Sequence, residues 1–458
     1  MTEFAKIAAG LPHSEDYRVW IDGQEADTDI ARVSAKKINR YVSGKERPLE
    51  ETEIASFVSC FADAPVQVRV LPARPFKEAV VRPLHKNVHI TREGETLCFT
   101  IAEKGQYSLE LDGPSRPLAI FVNEKEGEPD EGAWDLYFAP GTHDAGRIEL
   151  KNNMRVYIAR GAVVYGAFMG HGVENVEIAG EGILDGSKEK RGSDDCYNDD
   201  PAGCMKFRSC KNIRIGGIVC RDPALWTISL FACENIVIDN IKLIGLWRHN
   251  ADGIDFCNTS NVCLKNSFLR CFDDCVVIKG LPGYGYRNAE NYLVENCVVW
   301  CDWGRALEIG AETVADEMKN ILFRGCSVIR SDFSSLDVQN CDRAAVTQVA
   351  FENIHIEYDK YRDNKPRPVF VGVHNGYCGM HFDDPNVVGR NENILFKDIY
   401  IDAEGEIGPL QFVGFDEAHT SKNIRFENIF INGKRAEGMN AFQVLTEGCI
   451  DISEIGWK

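Results

Sequence analysis

A short motif recurs through the last two thirds of the chain, and it constrains the fold more than any other feature. An Asn precedes two apolar residues that are separated by one position, first in residues 174–178, Glu-Asn-Val-Glu-Ile. The motif returns in residues 211–215, 234–238, 260–264, 290–294, 319–323, 392–396 and 422–426. The gaps between the leading Asn residues of the middle copies are 23, 26, 30 and 29 residues. A period of this size is typical of a solenoid.

The content of each repeat indicates which solenoid forms. Short β-branched runs are separated by Asn, Gly or Asp, and they lack helical spacing. This pattern predicts a right-handed parallel β-helix over residues 135–458, with equivalent residues of successive coils about 4.8 Å apart. Buried Asn side chains at the turns are expected to form amide ladders, so we interpret the repeated Asn as structural.

Residues 1–134 do not carry the repeat. Alternating runs such as residues 66–70, Val-Gln-Val-Arg-Val, are separated by turn-prone segments and predict a β-sandwich-like domain. A short helix is expected over residues 48–58. We find no chemical motif in this region and expect the domain to cap the first coil of the solenoid.

Composition excludes several classes of partner. The net charge of −19 and the lack of a basic cluster with interleaved aromatics disfavour nucleic acid. No stretch is apolar and long enough for a bilayer, and the first residues do not resemble a signal peptide, so a cytoplasmic location is expected. The 17 cysteines are then expected to be reduced core residues without disulfides.

The alternation within the strands predicts a polar outer face. In residues 253–256, Ile254 and Phe256 should point into the core, which leaves Asp255 pointing outward. The same alternation on the following coils predicts an outward row of polar side chains: Lys279, Glu308, Asp337 and Gln339.

Two acidic motifs stand out on adjacent coils of this face. They are Asn-Ala-Asp-Gly-Ile-Asp at residues 250–255 and Asp-Asp-Cys at residues 273–275. Glycoside hydrolysis commonly needs one carboxylic acid to protonate the leaving oxygen and a second carboxylate to activate water or attack carbon. Crowded carboxylates raise each other's pKa, so one can stay protonated near neutral pH. Acidic pairs are also common in turns, so the interpretation depends on the repeat that brings both motifs together.

The two motifs resemble those of a known family. Residues 250–255 resemble the Asn-Thr-Asp-Gly-Phe-Asp motif of family 28 glycoside hydrolases, the polygalacturonases, and residues 273–278 resemble their Asp-Asp-Cys motif. The sequence also resembles family 49 of the same clan, the dextranase and isopullulanase group. That family has an Asn-Asp-Asp-Ala-Ile-Lys motif, and Ile278 and Lys279 follow the acids here.

The resemblance implies roles for three carboxylates. Asp273 is expected to be the general acid, and Asp252 and Asp274 the carboxylates that activate water, with inversion at the anomeric carbon. Family 28 has Gly-His-Gly where residues 304–306 read Gly-Arg-Ala. Its Arg-Ile-Lys motif holds the galacturonate carboxylate, where residues 337–339 read Asp-Val-Gln. Because Asp and Gln in place of cations would repel an anionic sugar, the sequence favours a neutral one.

The remaining site candidates are side chains near these motifs that could bind sugar hydroxyls or stack on sugar rings. The expected substrate-binding residues are Asp255, Lys279, Arg305, Glu308, Asp337, Trp247, His249 and Trp303. An interruption of the period around residues 374–391 is expected to form a cleft-lining loop, although its His and Asp residues could also bind metal.

The leading hypothesis is therefore an inverting hydrolase of a neutral oligosaccharide, with no cofactor and no metal. Three alternatives stay open: a family 28 enzyme acting on pectic fragments, a β-helix polysaccharide lyase with a cation and an Arg or Lys base, and a non-catalytic carbohydrate-binding solenoid. The expected partner is a short oligosaccharide, without nucleic acid or membrane, and a homo-oligomer stays open.

Overall fold

The computed structural model describes residues 2–35, 47–125, 127, 129–361, 369–376 and 382–458. Within these ranges the regular structure consists of β-strands and of five 3-10 segments, at Leu49–Glu51, Leu84–Lys86, Glu131–Ala133, Met439–Ala441 and Ile452–Glu454. One sheet of 30 strands runs through the second part of the chain. The prediction of an all-β fold with a parallel β-helix after a β-rich region is confirmed. No helix in the described ranges is apolar and long enough to cross a membrane.

Two sheets precede the β-helix. The first contains β1 (Glu3–Phe4), β4 (Asp29–Ser34), β5 (Thr52–Phe61), β7 (Ala79–Arg82), β10 (Gly105–Leu111) and β11 (Leu118–Asn123). The second contains β2 (Tyr17–Ile21), β3 (Gln24–Ala26), β6 (Val66–Pro72), β8 (Thr91–Glu93) and β9 (Thr96–Ile101). Val19, Val68 and Phe99 of the second sheet share one buried core with Leu109 and Ile120 of the first. This face-to-face packing is a β-sandwich.

The prediction of a short helix over residues 48–58 is wrong. Only Leu49–Glu51 is helical, as one 3-10 turn, and β5 follows it directly. This strand is paired with both β4 and β11. Its Val58 packs in the sandwich core while Phe57 packs on the other side, against the β-helix. A strand buried on both faces lacks polar alternation, and for that reason its pattern resembled a helix.

Each coil of the β-helix contributes strands to three faces. The first face contains β12 (Leu136–Phe138), β14 (Arg155–Ile158), β16 (Glu174–Gly180), β19 (Lys211–Gly216), β22 (Glu234–Asp239), β25 (Ser260–Lys265), β28 (Ala289–Glu295), β31 (Glu317–Arg324), β34 (Ala345–Tyr358), β36 (Arg390–Ala403), β38 (Lys422–Ile431) and β41 (Ile455–Trp457). The short β39 (Lys434–Arg435) pairs antiparallel with β38.

The second face contains β13 (Gly141–Glu149), β15 (Ala162–His171), β17 (Ile183–Asp185), β20 (Val219–Arg221), β23 (Lys242–Leu243), β26 (Phe268–Cys271), β29 (Val298–Cys301) and β32 (Ser327–Arg330). The third face contains β18 (Met205–Arg208), β21 (Ile228–Phe231), β24 (Ile254–Cys257), β27 (Val276–Gly280), β30 (Arg305–Thr313), β33 (Ser334–Asn340), β35 (Val369–Asn375), β37 (Leu410–Val413) and β40 (Val444–Glu447). Inward apolar side chains of the three faces form a continuous core along the β-helix.

The repeated Asn residues form the predicted ladder beside the first face. The amide of Asn235 donates to Asn212 at 2.9 Å, and that of Asn261 donates to Asn235 at 3.0 Å. These residues have positive φ, a conformation that Asn tolerates better than most residues. They are exposed rather than buried, which differs from the expectation. Their role is to fix the turn and to link one coil to the next.

The sandwich lies along the second face instead of capping the first coil. Phe121 of the sandwich packs against Phe268, with ring centroids 5.3 Å apart. The buried cluster at this contact contains β-helix residues of several coils, from Val163 to Ile329. The prediction that the sandwich caps the first coil is therefore wrong. The outer side of the second face is apolar, and the sandwich buries it by packing along the length of the β-helix.

The cysteines of the described residues follow the expectation with one exception. Fifteen of them are free thiols, most of them buried. Cys341, which follows β33, is disulfide-bonded. The expectation of a chain without disulfides is wrong at this residue.

Candidate active site

The outer side of the third face carries the predicted row of polar residues. Ile254 and Phe256 point into the core, as the alternation requires, while Asp255 points outward. Continuous pairing places Asp255, Glu308 and Asp337 in one row across the coils of β24, β27, β30 and β33. Stacking of coils therefore gathers acids that are far apart in sequence.

Lys279 lies at the centre of a first group of carboxylates. Its Nζ is 3.0 Å from Asp255 Oδ1, 3.5 Å from Asp252 Oδ2 and 3.8 Å from Glu312 Oε2. The same Nζ lies 4.0 Å from the centroid of the Trp226 ring. Burial lowers the pKa of Lys279, but Glu312, Asp255 and Asp252 together raise it well above its usual value. These carboxyl groups therefore favour the charged form of Lys279.

The acids around Lys279 are difficult to ionise. Burial raises the pKa of Asp255 to about 7, against the opposing effect of Lys279. Burial, Asp255 and Asp273 raise the pKa of Asp252 well above its usual value. Oδ1 of Asp252 is buried and has no hydrogen-bond partner, so this oxygen is available to a ligand or a water.

Asp273 and Asp274 form a second group, in the turn before β27. The backbone N–H of Asp274 donates to Asp273 Oδ1 at 3.1 Å, and that of Arg305 donates to Asp274 Oδ1 at 2.9 Å. Both oxygens border Gly304, where a Cβ would lie 2.4 Å from Asp273 Oδ1 and 2.7 Å from Asp274 Oδ1. Glycine is required here because any side chain would displace the carboxylates.

The environment of Asp273 suits a general acid. Burial and the charge of Asp274 raise the pKa of Asp273 well above its usual value, although Arg305 lowers it. A carboxyl group in this position keeps its proton near neutral pH and can give it to a leaving oxygen.

Arg305 holds a third group of carboxylates. Its Nε lies 3.1 Å from Asp337 Oδ2 and 3.3 Å from Glu308 Oε1, and its Nη1 lies 3.7 Å from Asp274 Oδ1. Burial raises the pKa of Glu308 well above its usual value although Arg305 lowers it. Arg305 therefore links the Asp273–Asp274 turn to the acids of the next coil.

Two predicted ring residues lie beside the turn that carries Asp273 and Asp274. Trp303, next to Gly304, stacks on Phe272 with centroids 5.6 Å apart, and the His249 ring lies 6.0 Å from Trp303. Burial lowers the pKa of His249 to about 4, so its imidazole is neutral at pH 7. Trp303 is half-buried, which leaves part of its ring accessible to a ligand.

Trp247 does not reach this site. Its side chain is 4 % exposed and its indole N–H donates to Asp222 Oδ1 at 2.9 Å. Its carbonyl accepts from Arg47 Nη1 at 3.0 Å, across the contact with the sandwich. A ring enclosed in this way has no face for a sugar, so Trp247 leaves the set of candidates.

Sequence reasoning missed Glu312 and Tyr197. Glu312 reaches Lys279 because the pairing register of β27 with β30 shifts after Ile278, which strict alternation does not foresee. Tyr197 comes from the segment between β17 and β18, and its hydroxyl donates to Glu312 Oε1 at 3.0 Å. The gap of 37 residues between Asn175 and Asn212 was a visible sign of this insertion.

The segment at residues 374–391 is only partly described. His374 is a buried residue of β35 on the third face. The N–H of Phe382 donates to Asp342 Oδ1 at 2.8 Å, which ties the described end of the segment to the coil of β33. The candidate metal ligand His381 lies outside the described residues. Within the described part of the chain, no group of three or more His, Cys, Asp or Glu side chains could hold a metal ion.

Two solved structures resemble this fold. Dex49A from Penicillium minioluteum matches with a TM-score of 0.60 at 15% identity, over 99% of this chain and 91% of that one. A hyperthermoactive exopolygalacturonase from Thermotoga maritima matches with a TM-score of 0.53 at 16% identity, over 70% of this chain and 83% of that one. At these identities the likeness shows the fold alone, and it confirms the predicted right-handed parallel β-helix.

The amino-acid sequence is also similar to that of known proteins. An exopolygalacturonase of Arabidopsis thaliana, clone GBGE184, is 28% identical over 244 residues, which are 51% of this chain and 53% of that protein. The exopolygalacturonase rpg15 of Rhizopus delemar is 28% identical over 45% of this chain and 51% of that protein. This chain thus spans about half the length of the curated relatives it matches. The family model described as glycosyl hydrolases family 28 matches residues 145–444.

Proposed function

The chain belongs to glycosyl hydrolase family 28, and from this membership we propose that it hydrolyses a glycosidic bond in one displacement, with inversion. Asp273 protonates the leaving oxygen, while Asp252 and Asp274 activate the attacking water. The observation that carries the proposal is that adjacent coils bring these three carboxyl groups together. Asp273 and Asp274 border Gly304 from one turn, and Asp252 faces Lys279 with one oxygen while its other oxygen has no hydrogen-bond partner.

We propose further that the sugar at the cleavage point is neutral. Lys279 lies within 3.8 Å of three carboxylates and Arg305 within 3.7 Å of three others, so each cation is already engaged. A uronate would add another carboxylate to a buried group of acids whose pKa values are already raised, where repulsion is weakly screened. Neutral di- to tetrasaccharides are the proposed substrates.

We propose attack on a chain terminus, and the contacts of the insertion between β17 and β18 support it. The insertion between β17 and β18 brings Tyr197 to Glu312, and its Cys196 packs with Trp226 and Phe231. Arg191 of the same insertion donates to the carbonyl of His249. In this proposal the insertion forms a wall that leaves room for one terminal unit beside Asp273, as exo-cleavage requires.

A second candidate is hydrolysis of pectic fragments. It is favoured by the names of two relatives, both exopolygalacturonases. It would need a carboxylate-binding cation other than Lys279 and Arg305.

The cytoplasm stays the proposed compartment, although the disulfide at Cys341 fits an oxidising one better.

The test of the proposed function is Asp273→Asn. We expect kcat on a neutral oligosaccharide to fall roughly 10³-fold, since general acid catalysis contributes about 10²–10⁴-fold. A substrate with a good leaving group should be partly rescued. In the wild type, kcat/KM should decline as pH rises through the raised pKa of Asp273, because the ionised acid has no proton to give.

The control is Asp316→Asn, which changes an exposed acid paired with Arg343 at 3.8 Å and should leave kcat unchanged. Circular dichroism checks that both variants fold. Normal turnover by Asp273→Asn removes this residue from the mechanism. NMR of the first-formed product should show the inverted anomer, and higher kcat/KM on galacturonate oligomers than on neutral ones would favour the second candidate.

A further inference from the structure

A groove of about 870 Å³ follows the outer side of the first face, away from the acids of the third face. It crosses the coils of β14, β16, β19, β22, β25, β28 and β31, from Asn153 to Asn320. Seven stacked coils are separated by six spacings, so the groove is about 29 Å long. Its length and its place on another face separate it from the candidate active site.

The ladder of Asn side chains forms one side of this groove. Hydrogen bonds of 2.7–3.0 Å link seven amides in order: Asn153, Asn175, Asn212, Asn235, Asn261, Asn291 and Asn320. A primary amide has two N–H donors and an oxygen with two lone pairs. Each inner amide uses one donor and one lone pair in the ladder, and its side chain makes no other hydrogen bond to the described residues. Since all seven are exposed, each coil offers one donor and one acceptor to a ligand.

An apolar row forms the other side of the groove. Val237, Cys263 and Leu293 are aligned by the register of β22, β25 and β28, and each is half-buried. Over the coils from β22 to β31, the part of the lining that the structure describes carries no charged side chain. Amides beside an uncharged apolar row suit a neutral ligand with hydroxyl groups along its edge and C–H groups on its faces, which is the chemistry of a pyranose chain.

The spacing of the amides favours a glycan over a peptide. An extended peptide advances about 3.3 Å per residue, so its polar groups fall out of step with amides about 4.8 Å apart. A pyranose unit in an extended chain is about as long as one coil spacing. A hydroxyl group both donates and accepts, so one hydroxyl group per sugar unit can satisfy one amide.

The groove ends where the ladder ends. The register of β31 and β34 places Gln348 beside Asn320, and no hydrogen bond links these two side chains in the described structure. The lining stops at Asn320, and the ladder resumes only at Asn393, which accepts from the amide of Asn423. The groove therefore has a defined length, which limits how many sugar units it can hold.

We propose that this groove binds an extended chain of about six neutral pyranose units, as a second glycan site that takes no part in cleavage. Each Asn amide exchanges hydrogen bonds with a hydroxyl group of one unit, and the ring faces pack on Val237, Cys263 and Leu293. The proposal goes beyond the proposed function, which concerns a bond cleaved at the third face. A glycan held here would be concentrated near the enzyme before one of its ends reaches Asp273.

The first experiment measures whether a bound glycan protects Cys263, a free thiol in the middle of the groove, from alkylation by iodoacetamide. Burial raises the pKa of Cys263, so the reaction is run at alkaline pH. The probes are linear glucose hexamers with α-1,4, α-1,6 or β-1,4 linkages, added to the Asp273→Asn protein to avoid cleavage. At about ten times the Kd of the best hexamer, mass action predicts a roughly 10-fold slower reaction at Cys263. Exposed Cys449 is the internal control and should react at the same rate with and without hexamer.

The second experiment changes the apolar row. In the same Asp273→Asn background, Leu293→Glu should weaken hexamer binding roughly 10-fold by calorimetry, because binding would desolvate a carboxylate. Leu395→Glu is the matched control, since Leu395 lies in the same outward row three coils further on, outside the groove. It should bind normally, and circular dichroism checks that both variants fold. Equal losses in the two variants would overturn the groove as the binding site.

A series of chain lengths tests the size of the groove. The Kd should fall with each added unit up to about six units and then stay constant, because the ladder stops at Gln348. Affinity that stops rising at two to four units would show binding at the candidate active site alone and would overturn the proposal. Protection of Cys263 by an uncharged extended peptide, but by none of the hexamers, would overturn the choice of a glycan.

This proposal and the proposed function fail separately. Loss of turnover in Asp273→Asn, together with equal alkylation of Cys263 with and without every hexamer, overturns the groove and leaves the hydrolase. Wild-type turnover in Asp273→Asn, together with protection of Cys263, overturns the role of Asp273 and leaves the groove.

Discussion

The second and third faces of the β-helix are built from the same coils, yet they bury different chemistry. The outer side of the second face presents apolar residues such as Val219, Phe268 and Val298 to the sandwich. The outer side of the third face presents Asp255 and Glu308, which are equally buried. The backbone is the same in both cases, so the side chains that alternate outward decide which face packs and which face binds.

The balance of charge separates the faces more clearly than burial does. At the sandwich contact, Glu110 lies 2.5 Å from Arg330 and 3.2 Å from Arg82. Burial raises the pKa of both Glu110 and Glu308. Arg330 and Arg82 nevertheless bring the pKa of Glu110 below its usual value. The pKa of Glu308 stays well above its usual value.

On the third face seven carboxylates surround two cations. The carboxylates are those of Asp252, Asp255, Asp273, Asp274, Glu308, Glu312 and Asp337, and the cations are Lys279 and Arg305. An imbalance of this kind costs stability and is typical of functional sites. In this molecule the candidate site therefore lies on the face whose buried carboxyl groups outnumber its cations.

The largest effect on stability is expected at the second face. Phe121→Ala removes a fully buried ring that packs on Phe57 and Phe268, and it should destabilise the protein by about 3–5 kcal/mol. Thermal denaturation followed by circular dichroism measures this loss. Phe415→Ala, at a ring 44% exposed, is the control. Similar melting temperatures for the two variants would mean that the sandwich contact contributes little.

A smaller effect, confined to activity, is expected at the third face. Gly304→Ala would push a methyl group against Asp273 and Asp274, and kcat should fall roughly 100-fold because small misplacements of reacting groups are costly. Initial rates on the best neutral oligosaccharide give the value. Gly456→Ala, where a Cβ would lie 3.7 Å from its nearest neighbour, should keep wild-type kcat. Unchanged kcat in Gly304→Ala would show that the Asp pair tolerates displacement.

The smallest effect is expected at the first face. Asn261→Ala breaks two links of an exposed ladder, to Asn235 at 3.0 Å and from Asn291 at 2.8 Å. The expected loss of unfolding free energy is about 1 kcal/mol per hydrogen bond, with kcat unaltered. Denaturant titration and initial rates test both parts. A fall in kcat would contradict the separation of the faces drawn above.

The regular part of this molecule could be predicted from its sequence. The spacing of the Asn residues and the alternation in strands such as β24 are local properties, and stacking of coils converts them directly into ladders and rows. The outward position of Asp255, and the meeting of the acidic motifs on neighbouring coils, follow from the same rule.

The irregular parts could not be predicted in this way. Glu312 reaches Lys279 through a shift of register, and His374 meets Gln339 through a pairing that the interrupted period conceals. Trp247 was placed in the cleft because it precedes Asp252 in sequence, but the chain turns its ring toward Asp222. Each of these depends on contacts between segments far apart in sequence.

The order of the two architectural parts also bears on how the chain acquires its structure during translation. The last strand of the sandwich ends at Asn123 and the first strand of the β-helix begins at Leu136. Ribosomes add about 5–20 residues per second, so the surface that receives the second face emerges before any coil does. Coils contact only their neighbours, and growth can start at any of them. The folded sandwich can therefore act as a template on which the first coils pack, so that the β-helix grows from that end. Its open strand edge is then exposed to pairing with another chain for a shorter time.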